Sequence, residues 1–462
     1  MIDFQSKAHE IAAAVRGGRI SATEALRVSL ARIEATNATL NAFTAVTSER
    51  ARARAAAIDQ AHDEGKTLGP LAGVPFAVKN LFDVAGLSTL AGSKINRDDP
   101  PARADATLVQ RLEAAGAILV GALNMGEYAY DFTGENIHYG PSRNPHDPTC
   151  MSGGSSGGSG TSVAAGMVPL ALGSDTNGSI RVPSSLCGLF GLKPTFGRLS
   201  RHGSFLFVAD LDHLGPMARS ATDLALSYDA MQGPDENDSW CAQRPVEPVT
   251  AKLDGGIDGL RIAVADDYFM VLGDPEVHEA VAAFAKALKT ERRITIPEAG
   301  RGRAAAYVIT TVEGANLHRE RLKTRANDFD PAVRDRFLAG LMLPSDWLVQ
   351  AHRFRAWYRA RVAEVFRDVD IILAPATPRV APKLGQVMMT LNGAEMPVRA
   401  NLGLFTQPIS AIGLPVVTAP YAERAGKLPI GVQIIAAPWK EELALRVARH
   451  LETIGIAASK AV

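Results

Sequence analysis

Residues 168–183 read VPLALGSDTNGSIRVP, and the order of residue types in this stretch decides the architecture. Val168 to Leu172 is a short apolar run with the length of a buried strand. A polar turn from Asp175 to Ser179 follows at once, and Pro183 marks a helix start. The same succession recurs on either side. Val74 to Val78 is an apolar run ending at Lys79, Thr107 to Ala115 is helical, and Ala117 to Val120 is again strand-like. Strands are also expected at Gly255 to Ala265, Asp370 to Pro375 and Pro429 to Ala436, with a closing helix from Lys440 to Ile454. Alternating strands and helices predict an α/β fold, a single large domain with a mixed central β-sheet covered by helices on both faces.

Four segments divide the 462 residues. Residues 1–65 read as helices. Phe4, Ala8, Ile11 and Val15 recur at helical spacing until Gly17 and Gly18, and Ser21 with Glu24 forms a capping box ahead of Leu26, Leu30 and Ile33. A further helix runs from about Thr47 to His62. Residues 66–235 carry the chemistry-bearing motifs, 240–365 are mainly helical and rich in Arg, and 366–462 return to strand character. The apolar stripes of the first segment either pack on the chain's own sheet or offer a face to a small helical protein partner or a second copy.

Composition excludes several classes. Lys plus Arg and Asp plus Glu both number 49, so no bulk charge favours nucleic acid or a membrane surface. Hydrophobic residues at 47% supply a sizeable core, yet no apolar run of about 18 residues predicts a membrane span. The segment from Met1 to Gly18 has no signal-peptide pattern, and three cysteines without a C-x-x-C fit a reducing cytosol. No H-E-x-x-H or paired-ligand spacing calls for a metal, and nothing calls for a cofactor.

Three segments carry candidate chemistry. Lys79 ends an apolar strand, where partial desolvation lowers an amine's pKa and lets it act as a base, although most strand-end lysines reach solvent. Residues 152–160, SGGSSGGSG, place Ser155 within G-x-S-x-G. That motif needs a strand just before the serine, and Asn144 to Pro148 cannot form a buried one. A Ser-His-Asp hydrolase using His202 or His213 is therefore disfavoured. The turn ending at Ser179 can point successive amides into one concavity, as an oxyanion hole requires.

Taken together, 153–159 (GGSSGGS), 172–181 (LGSDTNGSIR) and 187–195 (CGLFGLKPT) resemble the amidase signature family. The likeness covers residues 1 to 235 and resumes at 370–378 and 413–435. It implies Ser179 as the acylated nucleophile, Ser155 as a bridging serine after a cis peptide bond, and Lys79 as the base. Thr176, Asn177, Gly178 and Ser179 would supply the oxyanion-hole amides, and Asp175 with Arg181 a buried charge pair. The implied reaction is attack on an amide carbonyl, release of ammonia or amine, and hydrolysis of the acyl-enzyme.

The family's common Gly-Gly-Ser stands here as Asn177-Gly178-Ser179, and Asn80 stands where Asp commonly follows the lysine. The run from Asp175 to Gly191 resembles a subgroup of 1-carboxybiuret hydrolases from cyanuric-acid breakdown. A small polar amide or urea is the implied substrate, with Asn177 beside the reacting carbonyl and Arg319, Arg321 and Arg325 available for a substrate carboxylate. Two other readings remain: an ammonia-producing protein similar to the catalytic subunit of glutamyl-tRNA amidotransferase, and an inactive binding scaffold.

Overall fold

The computed structural model describes residues 2–423 and 426–462; Met1 of the N-terminal segment lies outside them. An eleven-stranded sheet runs through the molecule in the order Phe43–Val46, Ile118–Leu123, Pro75–Lys79, Leu170–Asp175, His213–Ala218, Phe190–Lys193, Val416–Pro420, Gly431–Ala436, Ile371–Pro375, Ile262–Ala265, Arg293–Ile294. It is mixed. Pro75–Lys79 runs parallel to both of its neighbours, whereas Leu170–Asp175 meets His213–Ala218 antiparallel. Helices cover both faces.

The parallel pair Pro75–Lys79 and Leu170–Asp175 positions the site. Phe76 lies beside Leu170 and Val78 beside Leu172, so Lys79 and Ser174 emerge at the same sheet edge. Both strands are buried along their whole length. That is the pattern expected where helices cover both faces of parallel strands.

The N-terminal helices span Ala8–Arg16, Ala22–Leu40 and Ser48–Asp63. Ser21 caps the second by accepting the Glu24 amide at 2.9 Å. Ile11, Val15, Leu26, Ile33 and Ile58 are buried in the chain's own core, so the stripes that suggested a docking face pack inward.

Four strands lacked a sequence signal: Phe43–Val46, Phe190–Lys193, His213–Ala218 and Val416–Pro420. The Gly/Ser run is not a loop throughout, since the helix Gly157–Ala164 begins inside it. Ahead of Ser155, Asp147–Met151 does form a strand, but in a separate ribbon with Arg143–Asn144.

Beyond the sheet edge the turn is tied by one buried ion pair. Arg181 and Asp175 have no exposed side-chain surface and meet at 2.9 Å. The same guanidinium donates to Gln433 Oε1 (2.8 Å), Thr406 O (3.0 Å) and Ser410 Oγ. Burial alone pushes the Asp175 carboxyl up, but the attached Arg181 guanidinium holds it well below the usual range. Removing one partner of a buried pair strands the other charge. Arg181→Met should therefore destabilise the fold by about 3–5 kcal/mol, read as a shift of the denaturant midpoint. A loss under about 1 kcal/mol would show that the pair contributes little to the fold.

Candidate active site

Lys79 is fully buried. Its Nζ lies 2.6 Å from Ser155 Oγ and 2.9 Å from Ser174 Oγ. Burial brings its pKa down to about 7, against the opposing pull of Asp212, Asp175 and Asp131. Near neutrality the amine thus has a large uncharged fraction, whose lone pair can accept the Ser155 hydroxyl proton while an N–H donates to Ser174.

Ser155 follows a cis peptide bond from Gly154. A Cβ on Gly154 would run into Asp131 Oδ2 and the Gly134 amide, so only glycine fits there.

Ser179 lies at the end of the turn and is buried save for its opening onto a narrow cavity. The turn is pinned from both sides. Thr176 Oγ1 donates to Asp212 (2.5 Å), and Thr406 Oγ1 donates to the Asn177 carbonyl (2.7 Å). Gly178 has φ +143°, and a Cβ there would collide with Thr406 Oγ1. The amides of Asn177, Gly178 and Ser179 find no acceptor among the described residues, which suits an oxyanion-binding concavity.

These features match a known pattern. Residues 24–445 fit the family model Amidase. The chain belongs to the amidase family. It is accordingly a hydrolase of carbon–nitrogen bonds. It is 54% identical to AtzE, a 1-carboxybiuret hydrolase subunit of Pseudomonas sp. (strain ADP), over 98% of this chain and 100% of that one. It is 39% identical to the GatA-type catalytic chain of glutamyl-tRNA(Gln) amidotransferase from Anaeromyxobacter sp. (strain K), over 96% and 95%. Among solved structures, a vestigial protein complex bearing on the origins of an s-triazine catabolic enzyme superposes with a TM-score of 0.97 at 54% identity, over 99% of this chain and 100% of that chain.

Around Ser179 the cavity of this amidase is lined by Asn177, Thr310, Arg336, Arg399, Asp131 and Gln407. Its guanidiniums are not those expected. Arg319 is exposed, Arg321 pairs with Asp99 at 3.5 Å, and Arg325 pairs with Asp98 (2.9 Å) and Asp328 (2.8 Å). All three sit on the surface helix Arg319–Arg325, outside the cavity. Arg336 comes instead from the next long helix, Pro331–Leu341, and Arg399 from the short turn of helix after the hairpin of Met388–Leu391 and Ala394–Pro397. Neither His202 nor His213 lines the cavity; His213 is buried, with Nδ1 2.6 Å from the Leu211 carbonyl.

Ser174, Arg336 and Arg399 escaped the sequence reading. Ser174 could have been found by strand alternation, two residues past Leu172 on one face. Nothing in a single sequence says which of many arginines turns inward. A wider groove on the outer face, walled by Trp347 and Trp357, holds none of these groups. The potential metal donors Asp210, Glu313 and His352 cluster elsewhere, with Arg355 already 3.0 Å from Asp210.

A base with a pKa near 7 must lose its proton to work. Activity should rise with pH through about 7 and level off above it. Lys79→Ala should lose both the rate and that limb. A flat profile from acid to alkaline pH in the unaltered enzyme would remove Lys79 as the base.

Proposed function

We propose that this amidase hydrolyses the terminal amide of a small carboxylated urea, 1-carboxybiuret or a close analogue, through acyl-Ser179. The observation that carries the substrate is Arg336. Its guanidinium lines the nucleophile's cavity and pairs with no carboxylate among the described residues. It donates to the carbonyls of Ala332 (2.8 Å) and Tyr130 and lies 3.7 Å from the Tyr130 ring centroid. Arg399, by contrast, is paired with Asp131 at 2.9 Å. The cavity thus retains one uncompensated cation, suited to one substrate carboxylate. The 54% identity to a 1-carboxybiuret hydrolase chain supports the same reading.

In this mechanism neutral Lys79 draws a proton from Ser179 through Ser155. Ser179 Oγ attacks the amide carbonyl, and the amides of Asn177, Gly178 and Ser179 stabilise the oxyanion. The C–N bond breaks as the proton returns by the same route to the nitrogen, and ammonia departs. Water then attacks the acyl-enzyme, giving the carboxylated product and free Ser179.

Related solved proteins form a complex, and a protein partner belongs to this reading; light scattering showing a fully active monomer would remove it. The three unpaired, buried cysteines suit a reducing cytosol.

Ammonia release from 1-carboxybiuret, biuret and glutamine tests the substrate. The carboxylated compound should be preferred, and Ser179→Ala should lose at least about 10⁴-fold in kcat. Arg336→Leu should cost about ten- to a hundredfold in kcat/KM on 1-carboxybiuret and little on uncharged biuret. Faster release from glutamine than from any urea would overturn the reading in favour of a chain that supplies ammonia to a partner.

A further inference from the structure

We propose that the side-chain oxygen of Asn177 accepts a hydrogen bond from a substrate N–H next to the scissile carbonyl, so that the site selects ureido compounds over carbon-chain amides of the same shape. The proposal rests on the reading of the substrate as a urea and assigns the group that recognises it.

Asn177 is only 7% exposed and lines the same cavity as Ser179. Its two side-chain ends are treated differently. Nδ2 donates to Thr310 Oγ1 at 2.8 Å, on the helix Ala299–Leu317. Oδ1 is buried and has no partner among the described residues. Buried side-chain polar atoms are rarely left unpaired, and those that are commonly await a ligand or water. The amide cannot readily turn to hide this oxygen. Its nitrogen is engaged by Thr310, and the main-chain carbonyl of the same residue is held by Thr406 at 2.7 Å. What remains is a fixed acceptor two residues from the nucleophile.

An acceptor in that place reads one feature of a substrate. In a urea or biuret the carbonyl carbon under attack bears an N–H on the side away from the leaving nitrogen. In malonamide or malonamate a CH₂ occupies that position with nearly the same geometry. The N–H can donate to Asn177 Oδ1, whereas the CH₂ leaves the oxygen desolvated and unpaired. Thr310 acts here as a positioning residue, because it decides which end of the amide faces the substrate.

Two isosteric pairs test this: biuret against malonamide, and allophanate against malonamate. For each compound the kcat/KM for ammonia release and the protection of Ser179 from a fluorophosphonate label are measured, so that binding is read even where turnover is slow. The N–H member of each pair should be favoured about ten- to a hundredfold in both readouts. In Asn177→Ala, and in Asn177→Gly should the first variant not label, the preference should fall to within about threefold. Thr310→Val should lower it partly without abolishing labelling. Equal treatment of the two members by the unaltered enzyme, protection by neither, or a preference that survives both Asn177 substitutions would each overturn the proposal. The carboxylate requirement is read separately, from allophanate against biuret, so it can fail while the N–H preference stands.

Discussion

The site depends on keeping one amine uncharged in a place that water does not reach. Lys79 ends a strand buried on both faces, and the cost of desolvating an ammonium lowers its pKa. Three carboxylates work against this, those of Asp212, Asp175 and Asp131. Each is engaged by a group of its own. Arg181 holds Asp175, Arg399 holds Asp131, and Thr176 with the amides of Phe207 and Val208 satisfies Asp212. These partners spend the carboxylates' charge elsewhere, and the lysine is left facing two hydroxyls. Ion pairs that look merely structural therefore set the protonation state of a group they do not touch.

Close backbone approach is the second constraint. The turn before Ser179 must come against Thr406, and the chain before Ser155 must come against Asp131, with no room for a Cβ at Gly178 or Gly154. The parallel strand pair brings Lys79 and Ser174 to one edge, and these glycines let the two serine-bearing segments close over it. A different strand order would separate groups that lie 76 and 95 residues apart in sequence.

Much of this was legible beforehand because its signals are local. The strand ending at Lys79, the turn from Asp175 to Ser179, and the capping box at Ser21 each declare themselves within a few residues. Strands such as His213–Ala218 and Val416–Pro420 are short and rich in residues without a strong β preference, and only their neighbours in the sheet make them strands. The cavity's cations were illegible for another reason. Arg321 and Arg325 share the composition of Arg336, and the difference lies in which helix turn faces inward and in whether a carboxylate such as Asp99 or Asp98 stands nearby. Those are long-range facts.

The helix Ala299–Leu317 explains how one family can share its chemistry and differ in substrate. It lies in the segment with the weakest resemblance to the family, yet it reaches the cavity repeatedly. Thr310 holds Asn177, Thr311 meets the Tyr130 hydroxyl at 2.9 Å, and Arg303 donates to Gln407 (2.8 Å) and Asn401 (2.7 Å). None of these residues contacts Lys79 or Ser155 through a hydrogen bond among the described residues. The lysine and its serines come from the strands and the Gly/Ser segment, while one helix sets the orientation of the groups that line the cavity. Changes along that helix can therefore alter what the cavity accepts while the amine stays buried and the catalytic hydroxyls stay in place.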